Sequence, residues 1–270
     1  TPRSVCTEKG HYDTIDLEAI PDDHLPRTNY RPMADRAEYA RRTPTVSWRE
    51  TVSLTLPWDD LTAAEQEAHP QRKGQNVTVQ RTLPEKRVTD FFRLTSRTMI
   101  GSSSEQTLIS AIIPKASGHI DLGFSIVPKD ISRLPKLAAS FHSVVFDFYV
   151  KSTGKGHFRN DIAALLPLVD FGLYNNRAIC LGLALNSQTV HYAPLWSELF
   201  GPSFIQQNWS QPDNPRLPQT FFAKLTPEWQ RHCALRTDYA RRMALVEIDV
   251  LVAQALGISL EELILIYRVQ

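Results

Sequence analysis

The stretch from Phe91 to Pro114, FFRLTSRTMIGSSSEQTLISAIIP, constrains the chain more than any other, because side-chain alternation, turn chemistry and charge coincide in it. Arg93, Thr95 and Arg97 recur at period two among apolar or small neighbours, and Leu108 to Ile113 is nearly all apolar. Both runs read as strands. Gly101, Ser102, Ser103, Ser104, Glu105 and Gln106 between them form a glycine-led polar connection. The pattern therefore predicts a hairpin that presents arginines beside a hydroxyl-rich loop. Guanidinium forks with hydroxyl neighbours match phosphates and base edges. The plain alternative is a half-exposed strand whose arginines are simply solvated.

The alternating run Ile120 to Val127 supplies a third strand for the same sheet, and Ser132 then opens a central helix with Leu134, Leu137, Phe141, Val144, Val145 and Phe148 on one face. That helix runs into Lys151-Ser152-Thr153-Gly154-Lys155-Gly156-His157-Phe158-Arg159-Asn160. A phosphate-loop reading fails there, since Tyr149 stands where the first glycine belongs and Gly156 where a Ser or Thr must follow the lysine. What remains is a flexible basic loop, either a holder of phosphates and groove edges or a solvated connection.

Asp161 to Phe171 includes a short apolar run ending at Pro167 that reads as a last strand, and Leu173 to Leu185 and Tyr192 to Phe200 read as helices. The Pro-, Asn- and Gln-rich run after Gly201 reads as a linker. Pro227 is expected to open a long helix closed by Gly257, and Ser259 to Glu262 is a capping box that starts another. Toward the N-terminus, His11 to Leu17 is a possible strand, Ala34 to Arg42 a short helix, and the rest an extended, proline-punctuated arm. Val52 to Leu56, Asp60 to Ala68 and Val77 to Leu83 read as strand, acidic capped helix and strand of an insertion.

Charge singles out the middle of the chain. Between Glu85 and Asn160 there are eleven Lys and Arg against six Asp and Glu, whereas the whole protein has a formal net charge of only +1. This segment is the one expected to face a polyanion. Its candidate DNA contacts are Arg93, Arg97, Lys115, Lys151, Lys155, His157 and Arg159, with Ser102, Ser103, Ser104, Ser152 and Asn160 as hydroxyl and amide partners. At 270 residues the chain holds one large or two ordinary domains. Cys6, Cys180 and Cys233 are odd in number and far apart, which predicts reduced thiols of a cytoplasmic protein rather than a metal set or disulfide framework.

No apolar run approaches the roughly 20 residues that span a bilayer, so no membrane partner is expected. With Thr1 rather than Met at the start, the chain reads as a piece of a longer protein. The motifs GxSxG, HExxH, GxGxxG and N/D-P-P-Y/F are missing, and Pro21-Asp22 with Glu85-Lys86 makes only a poor nuclease pattern. Recognition is therefore expected here rather than catalysis.

Four stretches, TPRSVCTEKGHYDTIDLEAIPDDHLPRTNY, FFRLTSRTMIGSSSEQTLISAIIP, SVVFDFYVKSTGKGHFRND and MALVEIDVLVAQALGISLEELILIYRVQ, resemble the C-terminal specificity region of the large bacterial type IIG and IIL restriction-modification and phage-defence methylases. These are fused adenine-N6 methyltransferases. The resemblance implies an α+β fold, with a twisted, mostly antiparallel sheet packed on a central helix and followed by a C-terminal helical hairpin. With the residue pattern it divides the chain into an arm over residues 1–50, a variable insertion over 51–87, a target-recognition core over 88–200, a linker over 201–226 and the helical hairpin over 227–270, of which the resemblance implies the insertion and the recognition core. It further implies that double-stranded DNA is gripped between this region and the methyltransferase domain of the same parent chain. S-adenosylmethionine and the catalytic motif would belong to that other domain, and the target adenine would flip toward it. The alternative reading is a docking scaffold for other subunits of a defence complex.

Overall fold

The computed structural model describes residues 14–270 apart from 27, 29, 32, 102 and 103, and the chain forms two units in it. One is Met33–Asp90, and the other joins the preceding residues to Phe91–Gln270. The fold class is α+β, with two antiparallel sheets and a C-terminal helical pair among the described residues.

In the smaller unit, the Asp35 side chain accepts from the Glu38 backbone N–H and starts α1 (Arg36–Arg42). Strand β1 (Thr51–Pro57) pairs antiparallel with β2 (Asn76–Thr82) in the register Thr51 opposite Thr82 and Pro57 opposite Asn76. Alternation turns Leu56 toward a small core of Leu61, Val77 and Val79, with Trp58 packed beside it. Between the strands, Thr62 and Glu65 form a reciprocal capping box on α2 (Ala63–Ala68), and Glu65 also pairs with Arg81 at 2.7 Å. The Arg81 guanidinium, then the Thr62 backbone N–H, hold the Glu65 carboxyl down at about 2. This unit is wider than residues 51–87 because the flanking chain zips up as well. The Val46 N–H donates to the Lys86 carbonyl and the Val88 N–H to the Pro44 carbonyl.

In the larger unit, β3 (Arg93–Arg97) lies between β4 (Ser110–Ile113) and β5 (Gly123–Ile126), both antiparallel to it. The expected hairpin and third strand are thus present. Leu94, Ser96 and Ile112 are buried. α3 (Arg133–His142) packs against this sheet. The central helix is not continuous. Ser143 takes an extended conformation (φ −75°, ψ 144°) and its hydroxyl accepts from the Phe146 N–H, so it caps a separate helix, α4 (Val144–Ser152). A serine that can satisfy a free helical N–H competes with continuing the helix, and here the cap prevails. No strand forms over Asp161 to Phe171, which holds the short helix α5 (Asn160–Ala163) and a loop.

α6 (Asn175–Asn186) crosses α3 so closely that a Cβ on Gly182 would sit 2.4 Å from the Pro135 carbonyl oxygen. Gly182→Ala is therefore expected to cost about 1–3 kcal/mol of stability through overpacking, outweighing the roughly 1 kcal/mol by which alanine favours a helix. A urea midpoint that stays put or rises would refute this.

α7 (Ala193–Leu199) is followed by the stretch expected to be a linker, but residues 201–226 place Phe204, Trp209, Leu217, Phe221, Phe222 and Leu225 in the core. Trp209 and Phe222 pack with ring centroids 5.1 Å apart. The apolar area of these rings outweighs the loop-forming bias of the intervening Pro, Asn and Gln. The long helix α8 (Asp238–Ala255) begins at the Thr237 cap, eleven residues after Thr226, rather than at Pro227. Gly257 (φ +72°) then turns the chain into α9 (Leu260–Val269), which opens with the expected Ser259 and Glu262 capping box.

Part of the N-terminal arm is fastened to this unit. Arg231 donates to the carbonyls of Glu18 and Ile20 and to Asp22, and Arg236 donates to the carbonyl of Leu17. Residues 14–17 form no strand, and the first part of the strand expected over His11 to Leu17 lies outside the described residues, as does Cys6. Cys180 and Cys233 are free, buried thiols, and burial pushes the Cys180 pKa up to about 12. No helix among the described residues is long and apolar enough to cross a membrane.

Candidate nucleic-acid interface

β3 alternates as expected, which puts Arg93, Thr95 and Arg97 on one face of the sheet. Their fates differ. Arg97 is exposed, whereas Arg93 keeps only 1% of its surface and donates to the Ser117 carbonyl. Alternation reports the side of a strand, not what lies over it. The connection after β4 folds back over this end, so Arg93 is a structural group rather than a presented one.

Beyond β3 the chain pairs again. The Ile100 N–H donates to the Gly156 carbonyl at 3.1 Å, the Phe158 N–H donates to the Thr98 carbonyl at 2.7 Å, and Met99 bridges antiparallel to His157. The glycine-lysine loop, reversed through Gly154 at φ +64°, is thereby stitched to the extension of the arginine strand. Lys155, His157, Arg159 and Asn160 are all exposed there. Arg159 pairs with Asp121 at 3.1 Å and Lys155 with Asp161 at 3.7 Å. The hydrogen bond from Arg159, then its charge, lowers the Asp121 carboxyl below its ordinary range. Such exposed pairs are weak, so a phosphate can exchange for either carboxylate.

The remaining expected contacts are dispersed. Lys115 is exposed with its ammonium 5.5 Å from the centroid of the Phe92 ring. Lys151 is half-buried and its ammonium lies 3.3 Å from the Glu105 carbonyl and 3.5 Å from that of Gln270, so it links two chain segments. Ser152 donates to the Tyr149 carbonyl at the end of α4. Ser104 is exposed, and Ser102 and Ser103 lie outside the described residues.

One array on this face was not anticipated. Ser125 lies opposite Thr95, with their hydroxyls 2.8 Å apart, and His119 Nε2 lies 2.6 Å from the Ser125 hydroxyl. His119 Nδ1 is 2.9 Å from the Ile120 carbonyl. A carbonyl only accepts, so Nδ1 carries a proton. In the neutral ring Nε2 then accepts from Ser125, whose oxygen accepts from Thr95. The ring rests on Gly123, where a Cβ would come 2.8 Å from Nδ1. Gly123 is the residue paired with Arg97, so the imidazole rests on the strand position opposite that arginine. A glycine inside an alternating strand is the sequence signal that could have pointed to this close approach.

His142, by contrast, is a core group. Its Nε2 meets the Ser110 carbonyl at 3.1 Å, and burial brings its pKa down to about 4, leaving it neutral. Among the described residues no three His, Cys, Asp or Glu side chains converge to hold a metal ion. In comparisons with known proteins the chain matches no family model, no curated protein and no solved structure.

Proposed function

We propose that this chain is a double-stranded DNA recognition region of a bacterial restriction-modification or phage-defence adenine methyltransferase. S-adenosylmethionine and the catalytic residues would reside in another domain of the same polypeptide. The observation that carries the reading is the stitching of Thr98–Ile100 to Gly156–Phe158, which gathers Arg97, Lys155, His157 and Arg159 at one end of the sheet. The excess of eleven bases over six acids in the surrounding segment supports it. In this reading Lys155 and Arg159 leave their surface carboxylates for phosphates, fixing register without reading sequence. Arg97, exposed at the end of β3, is the candidate base reader, and a bidentate guanine contact would discriminate by about 1–3 kcal/mol.

The test is the salt dependence of duplex binding. Lys155→Ala with Arg159→Ala is expected to weaken binding to all sequences alike and to reduce the slope of log K against log salt by about two. Arg97→Ala is expected instead to relax preference at one base pair. An unaltered slope in the double variant would show that DNA lies elsewhere or nowhere on this surface.

A second reading, protein docking within a defence complex, is favoured by one observation: α9 leaves Leu260, Ile264, Leu265 and Val269 exposed. It predicts that a co-expressed methyltransferase domain or subunit is retained by the wild-type chain and lost on Leu265→Glu, with DNA binding undetectable in both.

A further inference from the structure

A cleft of about 630 Å³ opens in the larger unit between the end of β5, α3 and the chain from the end of α5 onward. Its apolar lining comes from Ile126, Leu137, Phe141, Ala163, Leu166 and Leu168. A second lobe of about 290 Å³ shares Arg133, Leu137 and Leu168 with it and adds Lys136, Ser140 and Asp170. One lobe is thus hydrocarbon and the adjoining one polar, the pattern of a small-molecule site that fixes one end of its ligand.

The charges give the polar end a sign. Lys129, Arg133 and Lys136 meet Asp130 and Asp170 around the two lobes. Both acids already serve the backbone. Asp130 accepts from the N–H and hydroxyl of Ser132 at 3.0 and 2.8 Å, and Asp170 accepts from the Gly172 N–H at 3.1 Å. The contact between Arg133 and Asp130 is loose, at 3.7 Å, with both side chains more than half exposed. Neither Lys129 nor Lys136 has an ion-pair partner within 4.0 Å among the described residues, although Lys136 lies within electrostatic reach of Asp130 and Asp170. Arg133 and Lys136 also occupy the first turn of α3, where the helix dipole disfavours cations, so their repulsion is relieved by an anion.

We propose that this cleft binds a small amphiphilic anion, its alkyl or aromatic body in the hydrocarbon lobe and its carboxylate or phosphate head between Arg133 and Lys136. The proposal is independent of the DNA reading. Decanoate, decyl phosphate and the neutral decanol are titrated into the full chain by calorimetry, below the concentrations at which they form micelles. Saturable 1:1 binding of at least one anion is expected, ten-fold or more tighter than decanol, and the tighter of the two heads identifies the source as acyl carboxylate or phosphate ester. Arg133→Glu with Lys136→Glu should weaken it at least ten-fold, as should Leu168→Asp, which places a carboxylate where the lobes meet. Leu168 is 68% exposed, so that variant keeps the fold. Absence of saturable binding by both anions would overturn the proposal. So would charge reversal that leaves affinity within two-fold, or an equal loss in the Lys155→Ala, Arg159→Ala variant, which would mark the attraction as general to the surface.

Discussion

Arg177→Met is expected to lower stability by about 3–5 kcal/mol, because it leaves Glu247 charged and buried without its partner. Arg177 and Glu247 pair where each side chain keeps 10% or less of its surface. The second carboxylate oxygen of Glu247 accepts from the Ser210 N–H at 2.9 Å, and the guanidinium lies 4.5 Å from the Phe222 ring centroid and 3.4 Å from the Gln207 side chain. This network fastens residues 201–226 to α6 and α8, and its rupture releases the segment as well as the charge. For a chain of this size the melting temperature should fall on the order of 10 °C. Pairing Arg177→Met with Glu247→Met should recover most of the loss, since two apolar side chains of similar volume replace the ions. The Ser210 N–H would still lack its acceptor. A single variant that melts within a degree or two of the wild type would contradict this account.

Asp147→Ala should be nearly as damaging. Asp147 is 2% exposed, and one of its oxygens accepts from the backbone N–H groups of both Thr107 and Leu108, the first at 2.7 Å. Its other oxygen accepts from the Gln270 side chain. Removing it strands two buried backbone donors at about 1–3 kcal/mol each, and it frees the chain that leads into β4. Asp147→Asn keeps one carbonyl oxygen for those donors and is expected to lose clearly less. Hydrogen exchange provides the local readout: the Thr107 and Leu108 amides should exchange far faster in the alanine variant, while amides of β1 and β2 are unchanged in rank. Continued protection of Thr107 and Leu108 would mean that these amides do not depend on the Asp147 carboxylate.

The strength of these two contacts bears on how the candidate interface is made. Asp147 belongs to a helix whose start is the Ser143 cap, and the reach from Asp147 to Leu108 has no local sequence signal. The same holds for the unforeseen array on the sheet. Thr95, His119 and Ser125 are unremarkable in the linear chain, and only the antiparallel pairing of β3 with β5 and the missing Cβ at Gly123 bring them together.

Alternation, caps and turn residues by themselves determined much of the local structure: the β3–β4 hairpin, β5, the helix opened by Ser259, the turn at Gly257, and the strand-helix-strand pattern of the smaller unit. Those signals act over a few residues, through side-chain period and unpaired backbone groups, so they survive without knowledge of the fold. Which charged side chains remain available was decided by the tertiary structure alone. Arg93 is covered because Ser117 folds back onto it, Lys151 is engaged by the carbonyls of Glu105 and Gln270, and Lys155 and Arg159 keep their exposure on a loop pinned by Thr98 and Ile100. Solvent access at a residue depends on what distant parts of the chain pack above it, and no short-range pattern encodes that.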